Sequence, residues 1–157
     1  MDASGPAVRL RLATLADCAH LAVLNRQLID AERHRNTMDV PALDARMRGW
    51  LLNDYRAIVA ERGKGFVGYV LARRDDDGLY LRQLYVIAGE RRRGLGRGLV
   101  EAIEADAPDA LRLRLDVLVG NAAALIFWRS IGFLDYAIAL DRAANVSAAP
   151  APLPSAP

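Results

Sequence analysis

The sequence predicts an α/β chain of the α+β type, with a mixed, mostly antiparallel central sheet of about six to seven strands flanked by helices. Three observations predict it. Runs of alternating apolar and polar residues recur along the chain at strand length. Segments with apolar residues at helical spacing lie between them. A glycine-rich turn, Arg91-Arg92-Arg93-Gly94-Leu95-Gly96-Arg97-Gly98, joins one segment of each kind.

The elements follow in order. Residues 1–7 read as a short lead, and Val8 to Leu12 alternates apolar residues with arginines, as a half-buried strand does. Thr14 is placed to cap a helix with Asp17 in its first turn and Leu21, Leu24 and Leu28 as its buried stripe. The polar cluster Glu32-Arg33-His34-Arg35-Asn36 follows. Pro41 suits the first turn of a second helix, with Leu43, Met47, Trp50 and Leu51 on one face. Tyr55 to Glu61 and Gly65 to Arg73 form a hairpin about Arg62-Gly63-Lys64. The turn Asp75-Asp76-Asp77-Gly78 leads into a fourth strand, Leu79 to Ala88. Leu95 to Ala107 reads as a helix with Leu99, Val100 and Ile103 inward, ended by Pro108. Leu111 to Val119 alternates as a strand, and Asn121 caps a helix reaching Ser130 or Ile131. Gly132 stops it, and Leu134 to Leu140 is the last strand. Residues 8–142 thus form one domain, and the Ala-, Pro- and Ser-rich stretch 143–157 reads as a disordered tail.

Composition narrows the function. A chain of 157 residues, 53% hydrophobic and 25% charged, can bury a real core. Its net charge of +2 does not call for nucleic acid, because 19 acids offset the bases. The basic segment Glu90 to Leu99 also lacks the interleaved aromatics that stack on bases. One cysteine, Cys18, excludes an intrachain disulfide, and with only His20 and His34 beside it no metal site is expected. No apolar run reaches the length of a membrane span and no signal peptide precedes the first strand, so the expectation is a cytoplasmic protein with no membrane partner.

A glycine turn between strand and helix points backbone N–H groups outward, and the helix start adds partial positive charge. Arginines add forked donors suited to phosphate. Two nucleotide loops fail on spacing. A Walker loop needs Lys and Ser or Thr after its last glycine, but Leu99 and Val100 follow Gly98. A dinucleotide loop needs GxGxxG, whereas Gly94, Gly96 and Gly98 alternate. A basic loop that merely caps a helix is the plainer alternative.

The residues resemble the GNAT superfamily of N-acetyltransferases across Val8 to Arg142. Arg91 to Gly96 resembles the family's acetyl-CoA loop: Gln or Arg, two residues, Gly, one residue, Gly or Ala. Leu84-Tyr85-Val86 resembles the end of the strand before that loop. Asn121, Ala124, Trp128 and Gly132-Phe133 resemble its second signature, an Asn followed by a helix ending in Gly-Phe. The resemblance implies acetyl-CoA as co-substrate and a small-molecule or protein amine as acceptor. It implies that the fourth and fifth strands splay apart at the cofactor cleft, and that the pantetheine arm lies between them. The amides from Arg93 to Gly98 would hold the pyrophosphate, with Arg91, Arg92 and Arg97 as phosphate partners. Leu84 and Val86 would offer backbone groups to the arm, the Val86 N–H donating to the thioester oxygen. Asn121 would bond the arm, or serve only as a helix cap.

The catalytic positions depart from the family. The Tyr that often serves as acid is replaced by Trp128, whose indole N–H is no proton source near neutral pH. Tyr85, Tyr136 or water are the substitutes. The strand position of the usual acidic base reads Tyr80-Leu81-Arg82-Gln83. Arg82 there either points into the cleft, which would favour an acceptor with a carboxylate or phosphate, or is a plain exposed strand residue. The resemblance builds the acceptor site from the first two helices, bringing Glu32, His34, Arg35 and Asn36 near the chemistry, with Glu32 or His34 as base. A non-catalytic acyl-CoA-binding module is the alternative function. Dimers are frequent in the family, so a homodimer is an open expectation.

Overall fold

The computed structural model describes residues 5–144, so the first residues of the expected lead and most of the expected tail lie outside the described span. Strand β1 (Val8–Leu12) leads through a 3-10 turn at Leu15–Asp17 into helix α1 (Cys18–Ala31). Helix α2 (Val40–Leu52) follows, then a meander of β2 (Tyr55–Arg62), β3 (Gly65–Asp75) and β4 (Gly78–Val86). A 3-10 turn at Ala88–Glu90 precedes α3 (Leu95–Ala105), and β5 (Leu113–Arg114) and α4 (Ala122–Ser130) complete the order. The sheet runs β1-β2-β3-β4-β5, antiparallel except for the parallel β4–β5 pair. A mixed sheet flanked by helices is therefore the architecture.

Two expectations are corrected. Among the described residues the sheet has five strands, against the six to seven expected. The alternating stretch Leu111 to Val119 pairs only at Leu113 and Arg114, and Leu134 to Leu140 forms no strand. Leu134, Tyr136, Ile138 and Leu140 are each more than four-fifths exposed. Alternation makes a segment fit for a ladder, but a strand forms only against a partner backbone.

Local chemistry explains the starts of the helices. The Asp17 carboxylate accepts from the Thr14 N–H at 2.7 Å and from both ends of the Arg11 guanidinium at 2.8 and 2.9 Å. Arg11 also reaches Glu61 at 2.7 Å, so one arginine ties β1, β2 and the approach to α1 together. Asp39 caps α2, accepting from the Ala42 N–H at 2.9 Å, with Pro41 in the first turn.

The sheet buries two faces. Helices α1 and α2 cover the face of Tyr55, Val59, Tyr69, Leu71 and Tyr85. Helix α3 covers the opposite face through Leu99, Val100 and Ile103, against Ile58, Val70, Leu79 and Leu81. Among the described residues no helix is long and apolar enough to cross a membrane.

Candidate functional site

The β4–α3 junction places the glycine loop. Gly94 sits at the helix N-cap with φ 78°, a left-handed conformation that glycine adopts without strain. The first helical bond runs from the Gly98 N–H to the Gly94 carbonyl at 3.0 Å. Among the described residues the amides from Arg92 to Arg97 donate to no protein acceptor. Such a row of free donors at a helix start suits an anion.

The arginines divide. Arg91 donates from Nε to the Val86 carbonyl at 2.8 Å and lies over the Tyr85 ring at 5.6 Å. Arg93 stands 3.7 Å from Glu90, which Arg62 already holds through two bonds at 2.8 and 2.9 Å. Arg97 pairs with Glu101 one turn on, at 3.1 Å. Arg92, at φ 62°, has no ion-pair partner among the described residues. Gly96 lets α3 start against α4: a Cβ there would lie 3.3 Å from the Phe127 ring.

The end of β4 borders this loop. Among the described residues the strand has no partner on its β5 side beyond Tyr80, so the two strands part as expected. Its other side is laddered to β3, with Tyr85 opposite Tyr69 and the Ile87 N–H donating to the Val67 carbonyl at 3.0 Å. In an antiparallel ladder alternate residues turn their backbone groups away from the partner. Leu84 and Val86 are those residues, and their N–H groups face the open edge.

Helix α4 ends in two mutually supporting bonds. The Gly132 N–H reaches the Arg129 carbonyl at 3.1 Å and the Phe133 N–H reaches Trp128 at 3.1 Å. Gly132 takes φ 101°, and the Phe133 and Trp128 rings meet edge-on at 5.2 Å. This arrangement needs glycine followed by an apolar residue, which gives the Gly-Phe pair a structural cause. Asn121 caps the other end, its Oδ1 accepting from the Ala124 N–H at 3.1 Å. Tyr136, 87% exposed, stands away from the glycine loop beside Asp76, Asp77 and Arg114. An open depression of about 360 Å³ at the β3–β4 turn lies at the opposite end of β4 from the loop.

On the α1/α2 face a buried polar chain crosses the core. The Tyr69 hydroxyl donates to Gln83 Oε1 at 2.8 Å, and Gln83 Nε2 donates to Asn25 Oδ1 at 3.1 Å. Burial pushes the Tyr69 phenol far above its ordinary range. The Tyr85 hydroxyl donates to Gln27 at 3.2 Å. A bulge makes this layout: Leu71 pairs with Gln83 and Ala72 with Leu81, so Arg82 is the extra residue. Arg82 lies 4.7 Å from the Trp50 ring and donates to the Tyr55 hydroxyl at 3.3 Å. Arg46 lies 4.4 Å from the same indole.

Of the four residues expected at the helix connection, two, His34 and Asn36, close the loop. His34 Nδ1 accepts from the Asn36 N–H at 3.0 Å, and Asn36 Oδ1 accepts from the Met38 N–H at 2.9 Å. The lone pair His34 would use as a base is thereby engaged. Arg35 pairs with Asp141 at 2.8 Å. Glu32 ends α1, half-buried, and burial holds its carboxyl above the usual range, with His34 opposing.

Sequence reasoning missed Asn25, Arg46, Tyr69 and the part played by Gln83. A signal existed for two of them. Asn25 lies one turn after Leu21, within an apolar stripe, and Arg46 lies one turn before Trp50 beside Leu43 and Met47.

Residues 22–133 match the model of the acetyltransferase (GNAT) family. A comparison with curated protein sequences gives no match. Among solved structures, the aminoglycoside N-acetyltransferase AAC(6')-Iy in complex with CoA superposes with a TM-score of 0.76 at 14% identity, covering 93% of this chain and 100% of that one. A possible acetyltransferase from Clostridium difficile 630 gives 0.73 at 19% identity, covering 88% and 98%. The ribosomal-protein-alanine N-acetyltransferase from Brucella melitensis biovar Abortus 2308 gives 0.71 at 18%, covering 87% and 99%. At these identities the shared property is the fold.

Proposed function

The chain belongs to the acetyltransferase (GNAT) family, and from that premise we propose that it moves an acetyl group from acetyl-CoA to a primary amine by direct attack in a ternary complex. The observation that carries the reading is the row of free amides from Arg92 to Arg97, beside the open edge of β4. The pyrophosphate of acetyl-CoA fits that row, with the Arg92 guanidinium as its charged partner. The pantetheine arm fits the unpaired edge, where Leu84 and Val86 offer N–H groups. Arg91 already occupies the Val86 carbonyl, which leaves the Val86 N–H to meet the thioester oxygen as it gains charge.

The chemistry needs three proton movements. The ammonium of the acceptor loses a proton, its lone pair attacks the thioester carbon, and the nitrogen gives up a second proton as the amide forms. The carbon–sulfur bond breaks, and the CoA thiolate takes up a proton as it leaves. Glu32 is the base in this reading, acting directly or through water, because its carboxyl is raised toward the working range and His34 is engaged in its loop. Tyr85, whose ring lies against Arg91, or a water supplies the proton to sulfur. Trp128, packed against Phe127 and Phe133, has none to give.

Titration calorimetry with acetyl-CoA and thiol detection over an amine panel test the proposal. Binding and CoA release are expected, with release slowed by about a hundredfold or more in Glu32→Gln. An unchanged rate in Glu32→Gln removes that base. Binding without release on any amine favours the second reading, a non-catalytic acyl-CoA-binding module, which the indole at the usual acid position supports.

A further inference from the structure

We infer that the acceptor is a small-molecule amine that also carries an anionic group, a carboxylate or phosphate, held by Arg46 and Arg82 beside Trp50. This inference rests on the acetyl-transfer reading for the identity of the amine as nucleophile. The anion site itself stands on the geometry of α2 and β4.

Two guanidinium groups flank one indole, at 4.4 Å and 4.7 Å from its centroid. Arg82 is the extra residue of the β4 bulge, so its side chain joins that of Gln83 on the α1/α2 face. Neither arginine has a carboxylate partner among the described residues. The contrast with the other arginines is informative. Arg11, Arg26, Arg62 and Arg114 are the remaining arginines that are not fully exposed, and each is ion-paired. Among the described residues Arg46 alone is both half-buried and unpaired, and its buried Nε, like that of the ion-paired Arg114, has no hydrogen-bond partner. The buried Nδ2 of Asn25, on the facing helix, also lacks one. The indole face offsets part of the repulsion between the two cations but accepts no N–H in the manner of an oxygen. A carboxylate or phosphate would satisfy both demands with forked hydrogen bonds.

The negative counterpart is near. Glu32, the C-cap of α1, follows Asn25 by seven residues, on the same face of that helix about two turns on. The site thus offers one acid for an ammonium and two cations for an anion, which matches a zwitterionic acceptor. Arg82 is two residues from Leu84 on β4, about 7 Å along the strand. The anion would therefore sit beside the open edge without entering it. A polycation such as an aminoglycoside meets the wrong sign here.

The test uses the full chain and three sets of probes. The carboxylate arm compares α-amino acids with the amines left by their decarboxylation. The phosphate arm compares phosphoethanolamine with ethanolamine. Kanamycin is the polycation. Turnover is read by CoA release, and binding separately by calorimetry on the protein loaded with CoA. The expected result is a kcat/KM about tenfold or more higher for the anionic member of one pair, and a similar loss of its affinity in Arg82→Gln, partly restored by Arg82→Lys. Arg82 is exposed, so its variants test the site without unfolding the protein. Turnover with no anion preference, or a preference for kanamycin, overturns this inference and leaves acetyl transfer standing. Anion-dependent binding that Arg82→Gln abolishes, with no turnover on any amine, upholds the anion site and overturns the transfer reading. Absence of both overturns both.

Discussion

Tyr69→Phe removes a single oxygen from the middle of the polar chain that joins β3, β4 and α1. The ring is fully buried, so its replacement leaves no cavity larger than the lost hydroxyl. What changes is the acceptor it leaves behind. Gln83 Oε1 loses its donor at 2.8 Å, while Gln83 Nε2 remains committed to Asn25 at 3.1 Å. A lost hydrogen bond with one partner stranded costs about 1–3 kcal/mol. Gln83 is only half-buried, so water meets part of its need and the lower half, about 1–2 kcal/mol, is expected. For a chain of this size each kcal/mol moves Tm by roughly 2–4 °C, which gives a fall of about 2–8 °C. Thermal unfolding by circular dichroism measures it. Gln83→Leu in the same background supplies the control. If the stranded oxygen is the cause, the double variant should be more stable than the sum of the two single changes by about 1 kcal/mol. An unchanged Tm in Tyr69→Phe, or strict additivity, would refute the argument.

Two further perturbations address the loop and the first strand. Gly94→Ala meets no atom within 4 Å of the new Cβ, so its cost is the left-handed backbone alone, about 1–2 kcal/mol. Calorimetry should find acetyl-CoA binding weakened by up to roughly tenfold as the loop relaxes out of that conformation; unchanged affinity would show that the loop's shape does not matter for binding. Asp17→Asn should destabilise at neutral pH by about 1.5–3 kcal/mol, because Arg11 holds the carboxyl below its ordinary range. A depressed pKa contributes stability above the unfolded value and loses it as pH falls through the folded one. The gap between wild type and variant in urea melts should thus close in acid; a gap constant with pH would remove the ion pair as its cause.

Much of the glycine loop and of the α4 terminus was legible because each depends on local backbone needs. A left-handed N-cap requires Gly94, close helix packing requires Gly96, and the α4 terminus requires Gly132 with Phe133 after it. These demands reach only a few residues, so the sequence displays them. The polar cluster on the α1/α2 face was less legible because it depends on register. Nothing in Leu81-Arg82-Gln83 announces a bulge; the extra residue exists only relative to Leu71 and Ala72 on the neighbouring strand. The same logic explains the misread last strand. Leu134 to Leu140 has the pattern of a strand, and pattern is a property of one segment, whereas pairing belongs to two.

The bulge in β4 frees one side chain from the needs of the scaffold. Leu81 and Gln83 each hold a rung opposite β3, and a change at either disturbs the sheet or the polar chain behind it. Arg82 holds no rung. Its side chain can be exchanged while every backbone bond of the ladder stays in place and the glycine loop beyond Val86 is untouched. A lineage of such chains can therefore change the charge beside Trp50 by altering one codon, at little cost in stability.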